Sequence, residues 1–319
     1  VKYFVTGGAG FIGSNLCKRL LNEGHTVYCV DYFYTGNKRN IQPLLDHKNF
    51  MFYKHDVLHF PDKGLDEMPE VDVIFHLASP AIPKFSCETD VLNTLLVNSV
   101  GTLKLLEFAR ERDAQFFFTS SSEVYGGIDV PQCESDNCTT HFASSRCPYT
   151  ESKRFGETAA LLFHKLYGLD VKIARIFNTY GPNMKITDGL VIPKFMSWAL
   201  KDEDIVIYDS GSQTRSFCFV SDMVEGLLGL SRCQLEACCE PVNLGNPKEH
   251  ISIYDLAVKV KQLTGSSSKI VFKPGNLDEQ IKRQPSIKLA QSLFNWEPLI
   301  SLDLGLQSTL EYIRRNLED

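Results

Sequence analysis

Val5-Thr6-Gly7-Gly8-Ala9-Gly10-Phe11-Ile12-Gly13-Ser14-Asn15-Leu16 is the stretch on which the reading of this chain turns. Before it, Val1 to Thr6 reads as a strand, and after it an amphipathic pattern over 12–23 reads as a helix. A G-x-x-G-x-x-G loop between strand and helix lets the backbone turn tightly, approach a pyrophosphate and pack helix against strand. The helix N-terminus then offers free N–H groups and a partial positive charge to phosphate. Asp31 ends the next strand. A carboxylate there accepts hydrogen bonds from an adenosine ribose and repels a 2′-phosphate, so NAD is expected rather than NADP. Lys38 and Arg39, just downstream, work against that discrimination.

Outward from the loop, short β-branched and aromatic runs alternate with helical stretches. Strands are expected at 2–6, 26–31, 50–54, 72–77, 115–120 and 171–176, and helices at 12–23, 92–111 and 149–168. That alternation predicts an α/β fold, a Rossmann-type doubly wound parallel sheet. Beyond 176 the pattern loosens into loops at 178–189, 209–216 and 274–286, then one more strand, Pro241 to Leu244, and helices at 253–264 and 302–315. The expected organisation is an NAD-binding domain over 1–176 with a returning segment near 217–245. A smaller interleaved lobe over 177–216 and 246–319 would hold the substrate, in the cleft between them. Asp56-Val57 and Leu77-Ala78 follow the third and fourth strands, where such folds place ligands; His76 is expected beside them at the pyrophosphate edge.

Composition narrows the class. At 43% hydrophobic and 23% charged residues over 319 positions the chain is ordinary for a globular protein. A formal net charge of −6 speaks against nucleic-acid binding, so an anionic ligand needs a local cluster of cations. The ten cysteines are scattered without a C-x-x-C pair, so no metal centre is expected and reduced thiols are. No apolar run reaches the roughly 18–20 residues of a membrane span. A cytoplasmic location is expected, or the Golgi lumen where an anchor precedes this segment.

The chemistry gathers in two places. Tyr149-Thr150-Glu151-Ser152-Lys153 sets a phenol and an ammonium four residues apart on one helix face. A fixed positive charge stabilises the phenolate, so the Tyr can take a proton near neutral pH. The strand before it ends in Thr119-Ser120-Ser121-Ser122-Glu123-Val124-Tyr125-Gly126, where a hydroxyl can share the substrate proton. Together with the glycine loop these point to hydride chemistry.

With those motifs in place, the chain resembles the extended short-chain dehydrogenase/reductases over essentially its whole length, and within them most closely the UDP-glucuronic acid decarboxylases. The similar stretches are VTGGAGFIGSNL, YTGNKRN at 34–40, HLASPA at 76–81, SSEVYG at 121–126, RIFNTYGPNM at 175–184, GSQTRSF at 211–217, NLGNPKEH at 243–250 and WEP at 296–298. The resemblance implies Ser121, Tyr149 and Lys153 as the hydride-transfer triad and Glu123 as the carboxylate near C5 of the sugar. It implies Arg283 over the sugar, Arg215 on the diphosphate, Asn178 on the nucleotide sugar and Asn98 as structural support. Gly7, Gly10, Phe11, Ile12, Gly13, Asp31, Asp56, Val57, Leu77 and Ala78, with Tyr149 and Lys153, would hold NAD. Dehydratases of this kind usually place an Asp before the Glu, where this chain has Ser122, and 4-epimerases usually lack the Glu. Departures are Lys84 in a stretch that tends to be uncharged, Leu190 where Arg is frequent and Tyr32 where Asn is frequent. Lys84 is a candidate for the sugar carboxylate.

The expected reaction is oxidation at C4, loss of CO₂ and re-reduction, turning UDP-glucuronic acid into UDP-xylose with NAD regenerated. Alternatives are a UDP-hexose 4-epimerase, a nucleotide-hexose 4,6-dehydratase and a non-catalytic NAD-sensing protein. Helices 92–111 and 149–168 carry surplus apolar residues, and the resemblance implies that they pair in a homodimer.

Overall fold

A computed structural model describes residues 1–60, 70–81, 90–140, 144–234, 240–275 and 282–316. Seven parallel strands form the central sheet. In chain order they begin with β1 (Lys2–Thr6), β2 (Thr26–Val30), β3 (Phe50–Tyr53), β4 (Val73–His76), β5 (Gln115–Ser121) and β6 (Val171–Ile176). The seventh, Val242–Leu244, pairs with β6 and brings the late part of the chain back to the sheet. Buried on both faces, these strands have almost no polar alternation; Phe116, Phe117 and Phe118 of β5 are all fully buried.

The sheet order, from the seventh strand, is β6, β5, β4, β1, β2, β3. The chain therefore starts mid-sheet, winds outward to β3, and restarts on the other side of β1 at β4. At that reversal the loops leaving β1 and β4 diverge, which opens a crevice at the carboxyl ends of the strands. Helix α1 (Phe11–Asn22) and the helix Val220–Ser231 cover one face, burying Leu16, Leu20, Leu227 and Leu228. On the other face lie α3 (Val91–Leu96), α4 (Thr102–Glu111) and α5 (Cys147–Tyr167), burying Leu105, Phe108, Ala160 and Phe163. The short helix α2 (Lys38–Ile41) follows β2.

A separate apolar cluster, with Tyr180, Phe195, Met196, Ile207, Leu256 and Leu306 among its members, builds the rest of the molecule around helices Val191–Leu200, Ile253–Thr264 and Leu302–Arg315. All three stretches expected to be loops contribute strands, the first of them Thr179–Tyr180. Thr214–Ser216 lies between His250–Ser252 and Lys282–Arg283, and its register sets Arg215 beside Arg283. Side chains paired across neighbouring strands leave the same face, so one small sheet presents two guanidinium groups together.

The longest helices to escape the sequence pattern are Val191–Leu200 and Val220–Ser231; the short Lys38–Ile41 and Lys288–Phe294 escaped it too. The two long ones are buried on much of their circumference, so neither shows a clean polar stripe. The helix expected over 92–111 is interrupted by a π-helical turn, Val97–Gly101. Asn98 sits in that turn, fully buried, and its amide donates to Ser152 Oγ of α5 at 3.1 Å.

Candidate active site

The glycine loop closes on itself as its composition requires. Gly7 has φ +70°, and a Cβ there would lie 2.7 Å from the Ala78 nitrogen. A Cβ on Gly13 would lie 2.2 Å from the Gly7 carbonyl oxygen. Neither position admits a side chain. Helix α1 starts behind Gly10 with no side chain capping it, which leaves its first-turn N–H groups for an anion. Asp31 accepts from Ala9 N at 3.0 Å through one oxygen and from Phe33 N at 2.7 Å through the other. Burial pushes its carboxyl above the usual range, and these two bonds partly offset that. It thereby ties the glycine loop to β2 and keeps lone pairs for a ribose.

One cavity of about 700 Å³ runs from this loop to the small sheet bearing the two arginines. Gly7, Gly10, Phe11, Ile12, Gly13, Asp31, Asp56, Val57, Leu77 and Ala78 line one end. Ser121, Glu123, Tyr149, Lys153, Asn178, Arg215 and Arg283 line the other, with Tyr32 and Leu190 also on the wall. The uncapped helix start, the side-chain-free loop and the strand-end carboxylate fit a dinucleotide with an unphosphorylated ribose. Lys84 lies outside the described residues.

Tyr149 and Lys153 sit one turn apart on α5, both buried, with the Lys153 Nζ 5.9 Å from the centre of the Tyr149 ring. The ammonium donates to the Thr119 carbonyl at 2.9 Å. Burial lowers its pKa to about 7, against a smaller upward pull from Glu157. Ser121, at the end of β5, accepts from the Glu123 backbone N–H at 3.2 Å, which shapes the turn that follows. His76 is not at the pyrophosphate edge. It is buried between Thr6 Oγ1 at 2.8 Å and Thr102 Oγ1 at 3.0 Å, and burial, with Lys153 nearby, drives its pKa down to about 3. A neutral imidazole there clamps β4 to β1 and α4, while Leu77 and Ala78 beyond it reach the cavity.

Glu123 is the electrostatic centre. Its Oε1 meets Arg283 Nη2 at 2.6 Å and Arg146 Nη1 at 2.8 Å. Burial pushes the carboxyl up, but Arg283 and Arg146, with Arg215 further off, outweigh it and hold it below the ordinary range. Oε2 is buried with no hydrogen-bond partner among the described residues. Arg146 was not singled out from the sequence. The available signal was its position three residues before Tyr149, at the cap that precedes α5.

A sequence model of the NAD dependent epimerase/dehydratase family matches residues 3–245. The chain is 42% identical over 318 residues to UDP-glucuronic acid decarboxylase 1 of Xenopus tropicalis, covering 99% of this chain and 73% of that protein. It is 40% identical over 319 residues to UDP-glucuronic acid decarboxylase 6 of Arabidopsis thaliana, covering 99% and 90%. Among solved structures, UDP-glucuronic acid 4-epimerase from Bacillus cereus in complex with UDP-glucuronic acid and NAD aligns with a TM-score of 0.90 at 28% identity, covering 99% and 100%. UDP-glucose 4-epimerase from Thermotoga maritima with UDP-glucose aligns at 0.89 and 28%, with the same coverage. The family match spans well over half of the chain, and the chain belongs to the NAD dependent epimerase/dehydratase family.

Proposed function

We propose that this chain is a UDP-glucuronic acid decarboxylase, converting UDP-glucuronate to UDP-xylose and CO₂ with NAD as its cofactor. The observation that carries the reading is the charge balance at the sugar end of the cavity. Arg146, Arg283 and Arg215 act on the single carboxylate of Glu123, beside Tyr149. A hexuronate brings a further anion to that surplus of positive charge; a neutral hexose does not. The named decarboxylase relatives support the same substrate.

Gly7 to Gly13 with the start of α1 would hold the pyrophosphate, Asp31 the adenosine ribose, and Asp56, Val57, Leu77 and Ala78 the flanking walls. Bound NAD supplies the acceptor for the C4 hydride and later its donor. Tyr149 Oη takes the proton of the sugar 4-hydroxyl, with Ser121 Oγ sharing it and the Lys153 ammonium stabilising the phenolate. The ketone at C4 lies β to the C5 carboxylate, so the C5–C6 bond breaks, its electrons pass into the C4 carbonyl, and CO₂ leaves. Arg283 and Arg146 orient the departing carboxylate. Glu123 is held ionised by its arginines and so is no proton donor in this state. Its unpartnered Oε2 is suited to orient the water that protonates C5. Tyr149 then returns its proton to O4. Asn178 and Arg215 hold the nucleotide diphosphate.

In this reading 1–176 with 217–245 is the cofactor domain, and 177–216 with 246–319 is the sugar-nucleotide lobe. Exposed Leu103 on α4 and Leu162 and Leu166 on α5 support a homodimer through those helices. No helix among the described residues is long and apolar enough to cross a membrane. The compartment proposed is the cytoplasm. Incubation with UDP-glucuronate and NAD should yield CO₂ and a UDP-pentose in equal amounts. Absence of CO₂ at high enzyme concentration overturns the reading, and epimerised UDP-glucuronate or UDP-glucose would replace it with a 4-epimerase.

A further inference from the structure

A side-chain contact that no step of the chemistry needs crosses the cofactor end of the cavity. Tyr34 lies on the loop after β2, and Asp90 stands at the N-terminus of α3, beyond β4. The Tyr34 phenol donates to Asp90 Oδ2 at 2.5 Å. Asn93, within the first turn of α3, also bonds the phenol, so the loop is tied to that helix at two residues. The sheet order gives the contact its meaning. β2 and β4 are the two neighbours of β1, and the glycine loop rises from the end of β1 between them. A link from the loop after β2 to the helix after β4 therefore passes in front of the glycine loop. Tyr34, Asp90 and Asn93 all line the cavity that Gly10, Asp31 and Ala78 line.

The contact sits at the outer rim. Tyr34 is 38% exposed and Asp90 is exposed, so neither side chain belongs to the core. An exposed pair of this kind adds little to folding. Its placement across a ligand's exit route gives it leverage on release.

We infer that Tyr34 and Asp90 form a strap across the crevice that slows the departure of NAD. They are cofactor-retaining residues and touch no reacting atom. The inference rests on NAD as the occupant of the crevice and is independent of which sugar is processed. A cofactor reduced and re-oxidised within each turnover has no need to leave, so slow release suits the proposed cycle. The strap opens to admit or release the dinucleotide, and its hydrogen bond is the part lost on substitution.

The test is a double-substitution cycle on the full chain with no sugar present. NADH is loaded, the complex is mixed with excess NAD, and NADH release is followed by its fluorescence. Asp90→Ala should release NADH roughly 5-fold faster, the effect of one lost net hydrogen bond, and Tyr34→Phe, which loses the Asn93 bond as well, at least as fast. The doubly substituted protein should release no faster than Tyr34→Phe alone, because that change already removes the contact with Asp90. Unchanged release in either single variant overturns the strap, and so do effects that multiply. Loss of NADH binding in both also overturns it, by making the pair part of the binding surface itself. Failure of the CO₂ assay would leave this result standing, since release is read without substrate.

Discussion

Glu157 stands one turn beyond Lys153 on α5, and Arg175 on β6 takes both of its oxygens, Nε and Nη2 each at 2.9 Å. Ser120 Oγ adds a third bond at 2.5 Å, so a buried ion pair is fastened directly behind the strand that ends in Ser121. Glu157 is also the anion that pulls the Lys153 pKa upward against burial. Glu157→Gln leaves a buried guanidinium without its charge, and a loss of roughly 3 kcal/mol is expected in denaturant unfolding. It also lets Lys153 deprotonate at lower pH. The alkaline limb of kcat/KM against pH should therefore move to lower pH, a shift that a purely structural role for Glu157 would not produce.

Tyr149→Phe removes the only atom of that ring able to take the 4-hydroxyl proton. Turnover should fall by about 10²–10⁴-fold, the usual contribution of a positioned acid–base group. NAD content of the purified protein should stay near that of the parent. Near-normal turnover would refute the role.

Arg146 and Arg283 converge on one oxygen of Glu123 at the wall of the cavity, and a guanidinium fork there suits a substrate carboxylate. Arg146→Ala should weaken UDP-glucuronate binding by 1–2 orders of magnitude, roughly the worth of a charge-assisted hydrogen bond. UDP-glucose, which lacks the carboxylate, should bind with little change. Calorimetric titration with the two nucleotides separates the outcomes, and equal losses for both would remove Arg146 from carboxylate recognition.

Much of this arrangement is local in the sequence, and that part was legible there. The glycine loop, Asp31 at a strand end, and Tyr149 with Lys153 each depend on spacing within one strand–turn–helix unit. Arg146 was equally local, yet an arginine three residues before the tyrosine looks like any solvated charge until Glu123 is seen against it. His76 misled for a related reason. Strand-end position suggested the ligand edge, but hydroxyls from Thr6 and Thr102, on other elements, draw the ring into the core. The Arg215–Arg283 pairing joins residues 68 apart through a strand register that no periodicity announces. The helices Val191–Leu200 and Val220–Ser231 hid because burial on several sides erases the polar stripe.

Asp188 gives the reading a pH test that does not touch the catalytic residues. It lines the same cavity, on the short turn Ile186–Asp188, and burial raises its pKa to about 6, with Lys185 pulling the other way. The folded-state value exceeds the ordinary 3.8, so the free protein gains stability from the protonated acid at low pH and loses it as pH rises through about 6. The same sign governs ligand binding. Below about 6 the acid is neutral; above it, a carboxylate shares the cavity with the nucleotide diphosphate and repels it. UDP-glucose is the suitable probe, because its diphosphate diester does not titrate in this range and it carries no sugar carboxylate. Its affinity should fall roughly 5-fold as the acid ionises, the worth of about 1 kcal/mol of like-charge repulsion in a hydrated site. His250 behind Arg215, its pKa lowered by burial and by that guanidinium, also titrates on the acid side. Lys153, which lines the same cavity with its pKa lowered to about 7, titrates above it. Asp188→Asn separates Asp188 from both: it should remove the step near pH 6 and leave the steps on either side in place. A profile unchanged by the substitution would mean that Asp188 faces the cavity without sensing the diphosphate.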